Sequence, residues 1–560
     1  MKLGDILSGC EDVIVMSNEA EVTSEEQSKD LSRSLDREIS GVAYDSRKVA
    51  RNGMFVAIRG ENLDGHDFIS NAIGKGAVVI VSQQTGVKTG RRGLMDSPII
   101  FIKAKDSRRA LACMANNFYR RPSENVSVIG VTGTNGKTTT SYLIKSILEA
   151  WEKKVGLIGT IAYLIGDRAY PALHTTPESP EFQNLLYEMA SAGCSHVVTE
   201  VSSHSLSQRR VDYTRFVVAV FTNLTRDHLD FHETMEKYFG AKERLFTELL
   251  SKTGTAVINA DDAWGRKLLK DLREITARDQ GDGCPAIITY GIDGDADVSA
   301  SQREDSLSGV SFTLTCKGGT YRMDSPFIGV PNVYNILAAI SVGIALNIPM
   351  EVIQEGIRNI PQVKGRLERV DAGQDFLCII DYAHTPDALE RLILTARELM
   401  KESGISPQAS RRGDRSQKSE AASSLVTRHS SPQIITLFGC GGDRDRGKRP
   451  VMGELATRLS DYVIITSDNP RSEDPGEIIK EIVSGISTDN YAPVPDRRDA
   501  VISAVGKAGT GDILLIAGKG HEEYQEIKGV RYRFSDREVV KEAIRTKLRK
   551  MQDTRCKIQE

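Results

Sequence analysis

Val126-Ser-Val-Ile-Gly-Val-Thr-Gly-Thr-Asn-Gly-Lys-Thr-Thr-Thr140 is the stretch from which the fold can be read. Its apolar residues alternate into a strand, the chain turns through Gly133 and Gly136, and Lys137-Thr138 opens a helix. Glycines let backbone N–H groups close around a polyphosphate, and a helix N-terminus adds partial positive charge. In that setting Lys137 reaches terminal phosphates and the Thr138 hydroxyl binds Mg²⁺. The strict pattern has glycine where Val131 stands, so this is a variant. ATP is the first ligand the residues predict.

Outward from this loop, strand and helix patterns alternate. Strands are predicted at 126–131, 155–158, 196–201, 216–221 and 256–258, which implies a mostly parallel sheet. The less regular 285–325 predicts added antiparallel strands. A second alternating unit follows Pro361, with strands at 376–380, 434–438, 462–466 and 512–517. Residues 1–123 read as a mixed domain, with strands at 53–58 and 77–81 and a helix at 107–119. The expected domains are therefore 1–123, 124–361 and 362–560. Two pieces lack apolar periodicity: the acidic 18–38, expected to be a surface loop, and the serine-rich 401–432, expected to be a disordered insertion.

The chain has 560 residues, 40% of them hydrophobic and 27% charged, and a formal net charge of −3. That balance argues against bulk nucleic-acid binding, which needs a large positive footprint. No run of 18 apolar residues offers a membrane span, and the N-terminus lacks the apolar core of a signal peptide. A cytoplasmic monomer is expected. The 8 cysteines are widely spaced, which predicts reduced thiols rather than a zinc or redox pair. Cys440, inside a glycine turn, is expected to pack rather than react.

Polar clusters fall just after predicted strands, where ligands collect in open α/β sheets. Glu200 begins Glu200-Val-Ser-Ser-His204, and Asn223-Leu-Thr-Arg-Asp-His228 follows the next strand. Beside a phosphate loop, Glu200 is a natural hard oxygen ligand for Mg²⁺. In the last third stand Asp381-Tyr-Ala-His384, Gly439-Cys-Gly-Gly-Asp-Arg-Asp445, Ser467-Asp-Asn-Pro-Arg471 and Gly518-Lys-Gly-His-Glu522. Guanidinium forks at Arg444 and Arg471 suit carboxylate recognition. With Asp468 and Glu522 they outline a site for a ligand carrying both carboxylate and ammonium, that is, an amino acid.

These motifs resemble the Mur ligase family, ATP-dependent amide-forming enzymes of bacterial peptidoglycan precursor synthesis. The resemblance runs from about residue 40 to 545. It includes Asp45-Ser-Arg47, Asp64-Gly65, Gly133-Thr-Asn-Gly-Lys-Thr-Thr139, His174-Thr-Thr-Pro177, Asp227-His-Leu-Asp230, Asn332-Val-Tyr-Asn335 and Gly365-Arg-Leu-Glu368. It implies an α/β, three-domain Mur ligase architecture with a P-loop-type central ATPase domain and a Rossmann-like C-terminal domain. Asp468-Asn469-Pro470-Arg471 resembles the motif of the subgroup that adds meso-2,6-diaminopimelate to UDP-N-acetylmuramoyl-L-alanyl-D-glutamate (UDP-MurNAc-dipeptide). The implied reaction passes through an acyl phosphate on the D-glutamate γ-carboxylate.

Carried over by motif, the resemblance implies that Ser46, Glu61, Asn62 and Leu63 hold the UDP end. Thr175, Thr176, Ser202, Gln208 and Arg210 would hold the muramoyl dipeptide. Gly133, Thr134, Asn135, Gly136, Lys137, Thr138 and Thr139 would bind ATP, with Asn332 and Arg366 contributing. Thr138, Glu200, His228 and Lys242 would form the magnesium neighbourhood, and Lys242 matches a lysine the family carbamylates. Lys137, Glu200, His228 and Lys242 are the expected catalytic set, with His204 a weak candidate base. Arg444, Asp468, Asn469, Pro470, Arg471, Gly518 and Glu522 would contact diaminopimelate. By spacing alone, Lys242 reads as a helix-surface lysine. Hinge closure on binding is also expected. The rival readings are a lysine-adding ligase, a folylpolyglutamate synthetase, or an ATP-gated scaffold without turnover.

Overall fold

The computed structural model describes every residue except 17–31, 61–62, 85–98, 279–282, 294, 307, 403–430 and 560. The chain divides into two compact units, 1–298 with 337–356, and 299–336 with 357–560. The acidic 18–38 and the insertion 401–432 lie largely outside the described residues, as do Glu61 and Asn62.

The first unit holds two sheets. The N-terminal one has the strand order Val13–Met16, Ile100–Ala104, Ala77–Ser82, Gly53–Val56, Val42–Ala43, with only the first pair antiparallel. Helix Ser107–Phe118 is capped by Asp106, whose carboxylate accepts from the N–H groups of Arg108 and Arg109. Its apolar side joins Met54, Val79 and Ile102 in the core.

The second sheet of this unit runs in the order Ala286–Gly291, Leu250–Asn259, Phe216–Phe221, Ser127–Thr132, His196–Glu200, Val155–Ile158, Ala162–Ile165, Arg168–Pro171. The strands from 286–291 to 155–158 are all parallel. The inner strands 127–132, 155–158, 196–200 and 216–221 are buried on both faces along nearly all their length, which explains their near-continuous Val and Ile runs. The chain enters this sheet at 127–132 and later fills positions on both sides of it. That makes the phosphate-loop strand the topological switch point, the usual place for a ligand. The hairpin 162–165/168–171 is antiparallel and too short to have shown in the sequence.

In the second unit, strands Gly309–Cys316 and Gly319–Ser325 form an antiparallel pair within the region expected to be antiparallel. The C-terminal sheet has the order Glu368–Arg369, Leu377–Asp381, Ile513–Ala517, Ile434–Phe438, Tyr462–Ile465, Tyr491–Pro493. All neighbours from 377–381 onward are parallel. Helices bury both faces, one around Leu389, Ile393 and Ile482, the other around Ala500, Val501 and Val540.

One expectation is corrected. Cys10 and Cys113 form a disulfide across 103 residues of sequence, so the cysteines are not all reduced thiols. The helical turn 3–7 packs against helix 107–118, and Asn117 Nδ2 donates to the Ile6 and Ser8 carbonyls at 2.9 and 2.6 Å. This contact brings the two sulfurs together, and sequence spacing carries no trace of it. Cys440 does behave as expected. It is 1% exposed, its thiol lies against Met452, and burial pushes its pKa up to about 12.

Candidate active site

Adjacent parallel strands set neighbouring loops side by side. In the first unit the order 216–221, 127–132, 196–200, 155–158 brings four carboxyl-end loops together. The phosphate loop follows 127–132. Gly133 has φ +149°, and a Cβ there would lie 1.9 Å from Thr222 Oγ1, so only glycine fits. Segment 222–225 laces the loop: Thr134 N donates to the Asn223 carbonyl at 2.9 Å and Asn135 N to Asn223 Oδ1 at 2.9 Å. Tyr238 OH meets Thr134 Oγ1 at 3.1 Å. Gly136 then turns left-handed and helix Lys137–Ala150 begins.

Lys137 Nζ donates to the carbonyls of Gly133 and Thr134, at 2.9 and 2.8 Å. Lys242 Nζ donates to the same Gly133 carbonyl at 2.8 Å. Lys242 is 1% exposed, which corrects the surface-lysine reading drawn from spacing. Its helix, Met235–Arg244, turns it toward the loop with the ammonium 4.7 Å from the Tyr238 ring centre. Burial, and next the Lys137 ammonium, hold its pKa well below that of an ordinary lysine.

Glu200 ends strand 196–200 and is fully buried. Oε2 accepts from Thr138 Oγ1 at 3.0 Å and from Thr160 Oγ1 at 2.9 Å, while Oε1 accepts from Thr160 N at 2.8 Å. Thr160 Oγ1 lies 3.1 Å from Thr175 Oγ1. Thr176 Oγ1 donates to the Glu200 carbonyl at 2.8 Å and accepts from Ser202 N at 3.1 Å. Arg210 donates to the Thr176 carbonyl at 2.9 Å and to Gln208 Oε1 at 2.7 Å, and it pairs with Glu178 at 3.0 Å. One continuous network therefore joins Thr138 and Glu200 to all five residues expected at the muramoyl dipeptide.

His228 has a left-handed backbone and stands 4.8 Å from His204, ring to ring. Burial pushes its pKa down to about 4, against the attraction of Asp227 and with help from His204, Lys137 and Lys242. Ser46 is buried on the 3₁₀ turn 46–48 of the N-terminal sheet region, and Leu63 is exposed; neither belongs to the network. Among the described residues no three His, Cys, Asp or Glu side chains cluster as a metal site. Thr138 and Glu200 suit Mg²⁺, which takes one or two protein oxygens and completes its shell with phosphate and water.

In the second unit, Asn332 Nδ2 donates to the Ile328 carbonyl at 2.9 Å, holding the start of helix Val330–Ala345. The Arg366 guanidinium lies 4.9 Å from the Tyr382 ring centre. Strands 513–517, 434–438 and 462–465 are neighbours, so the loops carrying Gly518–Glu522, Gly439–Arg444 and Ser467–Arg471 meet. Arg471 has φ +51° and donates to the Gly442 carbonyl at 2.6 Å. A Cβ on Gly441 would lie 3.0 Å from Arg471 Nη1 and 3.9 Å from Arg444 Cγ, so both arginines border this bare glycine. Asn469 Nδ2 donates to Glu522 Oε2 at 2.8 Å, and Pro470 is buried beside it. A Cβ on Gly518, φ +109°, would lie 2.8 Å from Asp468 Oδ2.

Three residues of these sites were not anticipated. Thr160 obeys the same strand-end rule as Glu200, directly after 155–158, and could have been found by it. Tyr238 shows no sequence signal of its own. Lys519 stands between two expected residues, Gly518 and Glu522, and is fully buried.

Residues 38–119 match the Mur ligase family, catalytic domain, 131–343 the Mur ligase middle domain, and 415–520 the Mur ligase, glutamate ligase domain. The UDP-N-acetylmuramoyl-L-alanyl-D-glutamate--2,6-diaminopimelate ligase of Geobacter metallireducens is 42% identical over 535 residues, covering 91% of this chain and 95% of its own. That of Alkaliphilus metalliredigens is 43% identical over 510 residues, covering 90% and 94%. A solved structure of a ligase with this same name is 31% identical, with TM-score 0.63 over 98% of this chain and 99% of that one. MurF from Acinetobacter baumannii shares the fold at 18% identity, with TM-score 0.59 over 92% of this chain and 95% of its own.

Proposed function

The chain belongs to the Mur ligase family, and we propose from that premise that it joins meso-2,6-diaminopimelate to UDP-N-acetylmuramoyl-L-alanyl-D-glutamate with ATP, in peptidoglycan precursor synthesis. The observation that carries this reading is the C-terminal pocket, where Arg444 and Arg471 stand with Asp468 and Glu522 at the carboxyl edge of three adjacent strands. Such a pocket matches the carboxylate and ammonium at the far end of diaminopimelate. Lysine would leave the two guanidiniums without their anion, and a site built for a polar partner strongly rejects an analogue lacking it.

A carboxylate is a poor electrophile, so the γ-phosphoryl group of ATP passes first to the D-glutamate γ-carboxylate. The diaminopimelate amine attacks the resulting acyl phosphate, the amide forms and phosphate leaves. The chain's contribution is positioning and charge. Gly133 to Thr139 present backbone N–H groups and the helix N-terminus to the phosphates, and Lys137 offsets their charge. Thr175, Thr176, Ser202, Gln208 and Arg210 align the dipeptide, tied to Glu200 through Thr160 and Thr176. Mg²⁺, held by Thr138 and Glu200 with His228 and Lys242 nearby, would neutralise phosphate oxygens when bound. Ser46 and Leu63 serve the uridine end.

Lys242 suits carbamylation for a physical reason. Burial, and next the Lys137 ammonium, lower the Lys242 pKa and so raise the share of nucleophilic neutral amine above that of an ordinary lysine. That amine adds CO₂ to give a carbamate and a proton, and so exchanges a cation for an anionic oxygen donor. The proposal is tested by incubating the protein with ATP, MgCl₂, the UDP-MurNAc-dipeptide and meso-diaminopimelate. Mass spectrometry should find the tripeptide nucleotide, formed with loss of water; unchanged starting nucleotide would refute the reading.

A further inference from the structure

Lys519 is a fully buried cation among the residues of the proposed amino-acid site. Its Nζ donates to Asn469 Oδ1 at 2.9 Å and to Glu522 Oε2 at 3.2 Å, and stands 3.6 Å from Asp468 Oδ1. Glu522 Oε2 also accepts from Asn469 Nδ2 at 2.8 Å. Among the described residues, no hydrogen bond reaches Asp468 Oδ2 or Glu522 Oε1. Lys519 therefore engages one oxygen of each carboxylate, and Asp468 Oδ2 is left on the side of Gly518.

We infer that Lys519 is a positioning residue that sets the charge the pocket demands of its ligand, an inference that rests on the reading above. Arg444, which is exposed, Arg471 and Lys519 together with Asp468 and Glu522 sum to one positive charge, and the buried Arg497 nearby is cancelled by Asp536 at 2.7 Å. A ligand end carrying ammonium and carboxylate leaves that balance unchanged, and an end carrying only carboxylate neutralises it. An end carrying only ammonium adds a second uncompensated positive charge beside two guanidiniums. In this partly buried setting an unpaired charge is costly. The two carboxylates would otherwise attract a bare ammonium, and Lys519 cancels much of that attraction in advance. Rejection of lysine is thus divided between the arginines, which lose their anion, and Lys519, which takes the cation's place.

The charge balance places lysine last among three acceptor amino acids that share the same reacting end. Asp468 Oδ2 and Glu522 Oε1 can accept from the ammonium of meso-diaminopimelate, which places it ahead of 2-aminopimelate. Phosphate release by the full-length protein, with ATP, MgCl₂ and the dipeptide nucleotide, reads that order directly. On the native sequence, kcat/KM for 2-aminopimelate should exceed that for lysine by at least about tenfold. Lys519→Gln should lower diaminopimelate use while narrowing or inverting the gap between the other two. Lysine matching or surpassing 2-aminopimelate on the native protein would overturn the inference, and this needs no variant to fold. So would a Lys519→Gln protein in which all three acceptors fall by one common factor, the mark of a merely structural role. Failure of every acceptor, meso-diaminopimelate included, would overturn the underlying reading instead.

Discussion

Lys137 and Lys242 direct their amines at the same acceptor, the carbonyl of Gly133, at 2.9 and 2.8 Å. Two ammonium groups so close repel, and the fully buried one yields: Lys242 is held below the ordinary lysine range by burial first and by Lys137 second. The Gly133 carbonyl thus gathers two amines, and their proximity favours the neutral form of Lys242.

From this follows a bicarbonate dependence. Activity should fall in carefully degassed buffer and return on adding bicarbonate. Lys242→Ala should lose activity by about 100-fold or more, and a short carboxylate such as acetate should restore part of it. Full activity of Lys242→Ala would show that no anionic ligand is needed there.

Most of the first site could be read from the sequence because its motifs are contiguous and follow strands. The strand–turn–helix at 127–150 and Glu200 at a strand end needed no knowledge of what packs where. Lys242 and Lys519 were different. Each is a lysine whose burial depends on distant chain: Gly133 for one, Asp468 and Asn469 for the other. Helical spacing placed Lys242 on a surface because the surrounding Lys237, Glu243 and Arg244 are charged. The Cys10–Cys113 pair was hidden for the same reason, since only tertiary packing joins residues 103 apart.

That disulfide closes a long loop, and loop-closure entropy assigns such a bond about 4–5 kcal/mol at most. Reductant, or Cys10→Ser, should lower the urea midpoint for unfolding of the N-terminal region, by an amount worth about 2–5 kcal/mol. Identical midpoints with and without reductant would show that the bond contributes no stability.

His521 gives the C-terminal region an acid sensitivity. Burial first, then Arg366 and Lys364, push its imidazole from the ordinary 6.5 down to about 3. Below pH 6.5 the unfolded chain takes up a proton that the folded state refuses, so folding loses stability as pH falls from 6.5 toward 3. Above that window the group contributes nothing to the pH slope. Thermal midpoints measured from pH 7 to 4 should fall less steeply for His521→Gln than for the native sequence. Parallel slopes would assign the acid sensitivity to other groups.

The central claim is that the site around Lys137 and Glu200 activates a carboxylate while Arg471 selects the amino acid that captures it. Phosphate release, followed with meso-diaminopimelate and lysine in parallel on the native protein and on Arg471→Ala, tests it most directly. The native protein should release phosphate only when ATP, dipeptide nucleotide and meso-diaminopimelate are all present, with lysine a poor substitute. Arg471→Ala should still bind ATP but lose diaminopimelate turnover on the order of 100-fold. Equal turnover of the two amino acids by the native protein, or unchanged kinetics in Arg471→Ala, would contradict the account.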